Sequence, residues 1–212
     1  MEEAFWQDRW KKQQIGFHEA APNPLLTAHF KALDIFAHAA VFVPLCGKTL
    51  DIDWLLACGH PVVGVEFHEA AIQEVFARLE LVPEISEVAG LTRYHAGDLT
   101  LYCGDFFSLR RGHLPSVGAV FDRAALVAVA PAQRQAYVDH IRLLSDEAPI
   151  LLVSFDYDPS LKAGPPFSVS GAEIDRLMRG IMTRGVLQST PITSPPKAVG
   201  HGVEEVHLLR RQ

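Results

Sequence analysis

From Ala39 onward the chain repeats one pattern: an apolar run of four to six residues, bounded by turn residues, then a stretch of ten or more with helical spacing. A strand covered by helices on both faces reads as a continuous apolar run, whereas a strand with one wet face alternates. The repeat therefore predicts an α/β fold built on a parallel sheet. Strands are expected at Ala40–Val43, Val62–Glu66, Leu99–Cys103, Val117–Phe121 and Ile150–Phe155, with helices near Leu50–Cys58, Glu69–Glu80, Pro131–Leu144 and Gly171–Gly180. Gly59 suits a helix stop and Pro131 a helix start. Within Thr92–Tyr102, Ala96-Gly97-Asp98 separates two alternating segments, as in a small hairpin. The tail holds two strand-like runs, Val186–Thr193 and Val203–Leu209, with no helix-length segment between them, so they can pair antiparallel. Five strand–helix units and this closing hairpin make a mostly parallel, seven-stranded sheet with helices on both faces. Two helices precede it. Phe5, Trp6 and Trp10 share one helical face, and Asn23-Pro24 offers an N-cap and a proline at N1 for a helix turning Leu25, Leu26, Phe30 and Leu33 inward.

With 212 residues, 49% apolar and 21% charged, the chain can bury the core this sheet needs, which excludes a disordered, collagenous or disulfide-built protein. Nineteen basic residues stand against 25 acidic ones and are dispersed, so no positive stripe forms for nucleic acid or an anionic membrane. Small-molecule partners are favoured. Cys46, Cys58 and Cys103 contain no C-x-x-C pair, and none of the ten histidines forms H-x-x-x-H, which argues against a metal site. The N-terminus lacks the pattern of a signal peptide and the longest apolar run, Ala124–Ala132, is too short to cross a bilayer; a soluble cytoplasmic protein is expected.

Chemistry-bearing residues collect at the predicted strand ends. The first strand runs into Val43-Pro44-Leu45-Cys46-Gly47-Lys48, and the second ends at Glu66, twenty positions after Cys46. In a doubly wound sheet an acid at the second strand tip can hold the two hydroxyls of a ribose. A dinucleotide site would need G-x-G-x-x-G, of which Gly47 alone is present, and a P-loop would need glycine where Phe42 stands. The same residues also fit an ordinary strand-to-helix turn beside a surface glutamate. Asp105, in Cys103-Gly104-Asp105-Phe106-Phe107, can accept from an adenine amino group or cap a helix. Asp122-Arg123 reads as a self-satisfied ion pair or as a cation facing the ligand crevice. Gly164-Pro165-Pro166-Phe167 reads as an aromatic-tipped lid or a stiff connector. A serine or cysteine nucleophile lacks its context, since no G-x-S-x-G elbow occurs.

Together these stretches resemble the thiopurine S-methyltransferase family, especially its bacterial members. The likeness runs through Phe5-Trp6-x-x-Arg9-Trp10, Ile15-Gly16-Phe17-His18, Val43–Lys48, Gly59–Glu66, Tyr102–Phe107, Asp122–Leu126 and Gly164–Phe167, nearly the whole chain. It implies a class I, Rossmann-like methyltransferase domain over residues 1–212, the helices of 1–38 covering the site of S-adenosylmethionine. By the same resemblance Trp10 covers the cofactor, Leu45 lines the first-strand loop, Glu66 holds the ribose, and Asp105 and Phe106 take the adenine. Arg123 is expected near the methionine part of the cofactor, where its charge favours a thiolate, and Phe17 and Phe167 wall an aromatic acceptor pocket. No residue is obligatory as catalyst, because a sulfonium methyl is already activated and a thiolate needs chiefly orientation. One stretch departs from the family: Gly200-His201-Gly202 stands where relatives carry Trp-Gly, so the loop Ser194–His201 receives no acceptor contact from the resemblance.

The expected activity is methyl transfer to an aromatic or heterocyclic thiol by a monomer. Its alternative is transfer to a small inorganic anion or to selenium and tellurium species. A nicotinamide-dependent oxidoreductase is disfavoured by the missing glycines, and a cofactor-binding module without turnover is the reading outside enzymology.

Overall fold

Each apolar run is a strand, and two further strands flank them. In chain order these are β1 (Ala40–Pro44), β2 (Val62–Glu66), β3 (Glu84–Val88), β4 (Leu91–Ala96), β5 (Leu99–Cys103), β6 (Val117–Arg123), β7 (Ile150–Asp156), β8 (Met182–Pro191) and β9 (Val203–Arg211). The computed structural model describes residues 3–12, 14–192 and 202–212. The described strands form one sheet in the order β3-β4-β5-β2-β1-β6-β7-β9-β8. The five central strands are parallel, and both margins are antiparallel.

The sheet therefore has nine strands where seven were expected. β4 and β5 are the arms of the anticipated hairpin, joined through Ala96–Gly97–Asp98. β3 carried no usable signal. It is an edge strand exposed along most of its length, so no buried face imposes apolar alternation. β8 begins at Met182, ahead of the expected Val186.

Helices α1 (Glu3–Lys11), α2 (Pro24–His29), α3 (Asp51–Ala57), α4 (Glu69–Arg78), α5 (Arg134–Ser145) and α6 (Gly171–Leu177) complete the layers. α2 starts as the sequence predicts: the Asn23 side chain accepts the Leu25 N–H, and Pro24 needs no donor partner. On α4, Ile72, Val75 and Phe76 fall at helical spacing and pack with Ile52 and Leu55 of α3, Leu26 of α2, and Val41 and Val43 of β1. On the opposite face Tyr137, Val138 and Ile141 of α5 and Ile174 of α6 pack against Phe42, Val63 and Val65. Successive residues of β1 and β2 thus point into two different cores, which is why these strands are apolar at every position.

The chain leaves β1 toward β2 and β5 on one side and returns to β6 and β7 on the other. Strand order reverses beside β1, and the connections diverge there, opening a crevice at the strand carboxyl ends. Gly64 lets β2 lie close beneath it, since a Cβ there would sit 2.8 Å from Leu101 Cδ2, 2.9 Å from Cys46 Sγ and 3.3 Å from the Val43 carbonyl. Gly64→Ala is expected to cost about 1–3 kcal/mol by overpacking, read from urea denaturation. A loss under about 0.5 kcal/mol would show that Leu101 and Cys46 yield without strain.

Candidate active site

At the crevice lies a cavity of about 280 Å³, lined by the loops after β1 and β6, the tip of β2, and the N-terminal segment. Its floor is the turn leaving β1. Leu45 (φ 47°) and Gly47 (φ 52°) both adopt the left-handed conformation, unusual for a leucine, and this brings the backbone round to face Glu66. The Glu66 carboxylate is buried and accepts the Gly47 N–H at 2.9 Å through Oε2 and the His68 N–H at 2.8 Å through Oε1. Leu45 and Glu66 are thus brought together at one cavity.

The cover comes from α1 and the loop behind it. The Trp10 indole lies parallel to the His68 ring at 4.8 Å between centroids and meets the Phe17 ring edge-on at 5.5 Å. Trp6, Arg9, Phe17 and His18 also face the cavity. α2 does not; its apolar side belongs to the core on the far face of the sheet. Of the two N-terminal helices, the first is the cover.

Arg123, the last residue of β6, also lines the cavity, but its charge is committed. Its guanidinium donates to the Phe17 carbonyl and to the Glu19 carboxylate, both at 2.5 Å. Glu19 in turn accepts from the Asn23 side-chain amide at 2.9 Å, and the Asn23 backbone N–H donates to Asp51 Oδ1 at 2.7 Å. Asp51 Oδ2 accepts from the Thr49 hydroxyl at 2.7 Å. Burial pushes the Asp51 carboxyl up, against those two donors. One polar chain therefore ties the β6 tip, the cover and the first loop together. Glu19 and Asp51 went unrecognised in the sequence because their partners lie far off: Glu19 and Arg123 are 104 positions apart.

Three expected site residues are not among those that line the cavity. Asp105 caps the short turn after β5, its Oδ1 accepting the Phe107 N–H at 3.2 Å, and it is exposed at the strand tip beside Glu66. The Phe106 ring is in the core, against Tyr137 at 5.1 Å and His140 at 4.8 Å, so what it presents at the strand end is backbone. Phe167 turns back over Gly164, where a Cβ would come within 2.3 Å of its ring, and its N–H donates to the Val127 carbonyl at 2.7 Å. Pro165 and Pro166 line the cavity in its place. The loop Ser194–His201 lies outside the described residues. Asp122 points away from the cavity, accepting from Leu126 N–H at 3.0 Å and the Tyr137 hydroxyl at 2.7 Å. It thereby holds the turn that carries Val127 and Ala128 to the cavity wall. Among the described residues no group of three or more His, Cys, Asp or Glu gathers as a metal site, and no helix is long and apolar enough to cross a membrane.

Comparison with known proteins agrees with this architecture. The family model for thiopurine S-methyltransferase (TPMT) matches residues 1–211. A thiopurine S-methyltransferase of Xanthobacter autotrophicus is 44% identical over 212 residues, covering 100% of both chains. One of Pseudomonas fluorescens is 41% identical over 215 residues, covering 99% of each. Among solved structures, the 1,6-didemethyltoxoflavin-N1-methyltransferase of Burkholderia thailandensis, with bound S-adenosylhomocysteine, superposes with a TM-score of 0.63 at 16% identity, over 98% of this chain and 86% of that one. At that identity the likeness speaks for the fold.

Burial raises the Glu66 pKa from 4.5 to about 7, outweighing the backbone donors of His68, Gly47 and Phe67. The folded protein then holds a proton there that the unfolded chain has released, so stability from Glu66 is present below pH 4.5 and is lost as pH rises toward 7. Asp122, raised to about 6, acts in the same direction. His207, lowered to about 4 by burial, opposes both, costing stability as pH falls below 6.5. Glu66→Gln should therefore lose less stability than the parent between about pH 5 and about pH 8, measured from urea midpoints. Identical pH dependence in the two proteins would put Glu66 back in the ordinary carboxylate range.

Proposed function

Because the chain belongs to the thiopurine S-methyltransferase family, we propose that it transfers a methyl group from S-adenosylmethionine to an aromatic or heterocyclic thiol. One observation carries the reading: a buried carboxylate, Glu66, stands at the tip of β2 beside a left-handed loop, under an aromatic cover. A carboxylate has about four lone-pair sites. The backbone donors of Gly47, His68 and Phe67 take at most three of them, so an acceptor site remains for a ribose hydroxyl and the residues present fit the donor.

On this reading Trp10 closes the cavity from above, Leu45 and Gly47 shape its floor, and the exposed Asp105 receives the adenine amino group with Phe106 backbone alongside. When bound, the donor supplies an already activated methyl group. The protein supplies orientation and a water-poor site, which is what a thiol nucleophile in line with that methyl requires. The acceptor ring lies between Phe17 and the Pro165–Pro166 wall, with Phe167 setting that wall from behind. A slot between an aromatic ring and two prolines suits a flat ring better than a small inorganic anion. Arg123 acts first as a latch, holding Phe17 and Glu19 against the β6 tip, and through them it orients the acceptor. Residues 1–212 are read as a single domain with a site complete in one chain, hence a monomer acting on small molecules in the cytoplasm.

Calorimetric titration with S-adenosylhomocysteine is expected to give one-to-one binding that tightens as pH rises through about 7, since hydroxyl donors favour ionised Glu66. Glu66→Ala should weaken it by about 10- to 100-fold, the worth of charge-assisted hydrogen bonds. Unchanged affinity in that variant would sink the ribose assignment. A product assay offering aromatic thiols beside iodide, thiocyanate and selenite decides the acceptor, with methylated thiol as the expected main product.

A further inference from the structure

His18 follows the residue that Arg123 latches, and its own N–H donates to the Ile15 carbonyl at 2.8 Å, so its backbone is fixed on two sides. The side chain faces the cavity. Neither ring nitrogen has a hydrogen-bond partner among the described residues; Nδ1 is closed off from solvent, leaving Nε2 as the nitrogen a ligand can reach. Other shielded histidines behave differently. His60, His140 and His207 each commit a ring nitrogen to a fold contact, with the Ala39 carbonyl, the Phe106 carbonyl and the Ser154 hydroxyl. A half-buried imidazole left without partners costs stability, and its position in a ligand cavity supplies a reason for keeping it.

We propose that His18 is the general base of this site, taking the proton of an acceptor thiol that arrives un-ionised. The inference rests on the thiol-methyltransferase reading above and extends its acceptor class from thiols already ionised near neutral pH to those of ordinary acidity. The carboxylates nearby are spoken for. Glu66 serves Gly47 and His68, Asp51 serves Asn23 and Thr49, and Glu19 serves Arg123 and Asn23. Cys46 is buried with its thiol pushed well up. Burial, then the charges of Lys48, Arg78 and Arg123, lower the His18 pKa, with Glu74 alone among the facing groups raising it. The ring is accordingly neutral near pH 7, with a lone pair to offer.

The step balances. The S–H bond breaks and its proton goes to Nε2, while the sulfur's electron pair forms the new S–CH₃ bond. The pair that held the methyl stays on the donor's sulfur, which becomes a neutral thioether, and the imidazolium returns its proton to water. Because the acceptor's charge is created only as the methyl is transferred, the base matters in proportion to how un-ionised the thiol is.

The test compares the full-length parent with His18→Gln, which keeps a polar side chain of similar reach but takes no proton, across thiols of graded acidity at fixed pH. For thiols already ionised, the fall in kcat/KM of the variant is expected to be the smallest of the series and sets the reference for lost cavity contact. For weakly acidic thiols the variant should fall by about 10²–10⁴, and the gap should close as pH passes the thiol's own pKa. A second readout needs no turnover and no variant. In the dead-end complex of the parent with S-adenosylhomocysteine and a weakly acidic thiol, nitrogen-detected NMR should show His18 Nε2 accepting a hydrogen bond from the thiol, with the ring still neutral because no methyl is there to transfer. A uniform fall across the series, no fall at all, or an Nε2 resonance unmoved by the thiol in the dead-end complex would overturn the assignment while leaving the methyltransferase reading intact. Absence of any thiol methylation by the parent overturns both.

Discussion

Because β1 and β2 are buried on both faces, no polar group can be carried along their length without losing its solvation to an apolar core. The first places where chemistry is tolerated are the strand ends. Glu66 is the last residue of β2, and Asp122 and Arg123 are the last two of β6. The reversal of strand order beside β1 separates the loops there, so the same packing that forbids polar side chains in the sheet produces the crevice that uses them. Even so, Glu66 remains a costly residue. Its burial is offset by backbone donors, and the residual shift toward about 7 leaves it poised to ionise when a ligand brings further donors.

The cover is held in a different way. α1 buries Trp10, stacked on His68, but its other described side chains remain partly or fully exposed. The loop behind it is tied to the body of the protein through the Arg123–Glu19–Asn23–Asp51 chain. Breaking a largely buried ion pair on one side leaves an uncompensated charge, so this network is worth more as a register device than as a source of stability. A segment tied by few apolar contacts opens locally at lower cost than the sheet beneath it. That difference suits a site which must admit two ligands and then exclude water from the space between them.

Arg123 shows how pairing changes a residue's chemistry. As an unpaired cation at a strand tip it would draw an anionic acceptor by charge; paired with Glu19 it fixes geometry, and the net field it adds to the cavity is small. The proton that an un-ionised acceptor must lose then falls to a neutral group. His18 is the cavity-lining group that fits, held in place by the carbonyl contact that Arg123 makes to its neighbour. A charged residue and a neutral one thus divide the work of orientation and proton acceptance.

Much of the fold was legible because it rests on local periodicity. The bounds of β2 and β5, the Asn23 cap of α2 and the turn at Ala96–Gly97–Asp98 are each dictated by a few adjacent residues. β3 was not, since an exposed edge strand carries no apolar rhythm, and the sheet gained its ninth strand unannounced. At the site, sequence alone determined that Glu66 and Arg123 stand at strand ends, and they line the cavity together with Leu45, Trp10 and Phe17. Tertiary structure decided what each of them touches. It turned the Phe106 ring into the core, folded Phe167 over Gly164, gave Arg123 a carboxylate 104 positions away and left the His18 ring without a hydrogen-bond partner among the described residues. The reason is physical: strand and helix periodicity is set by neighbours in the chain, whereas the partner of a polar side chain is set by whichever distant segment packing brings within about 3 Å of it.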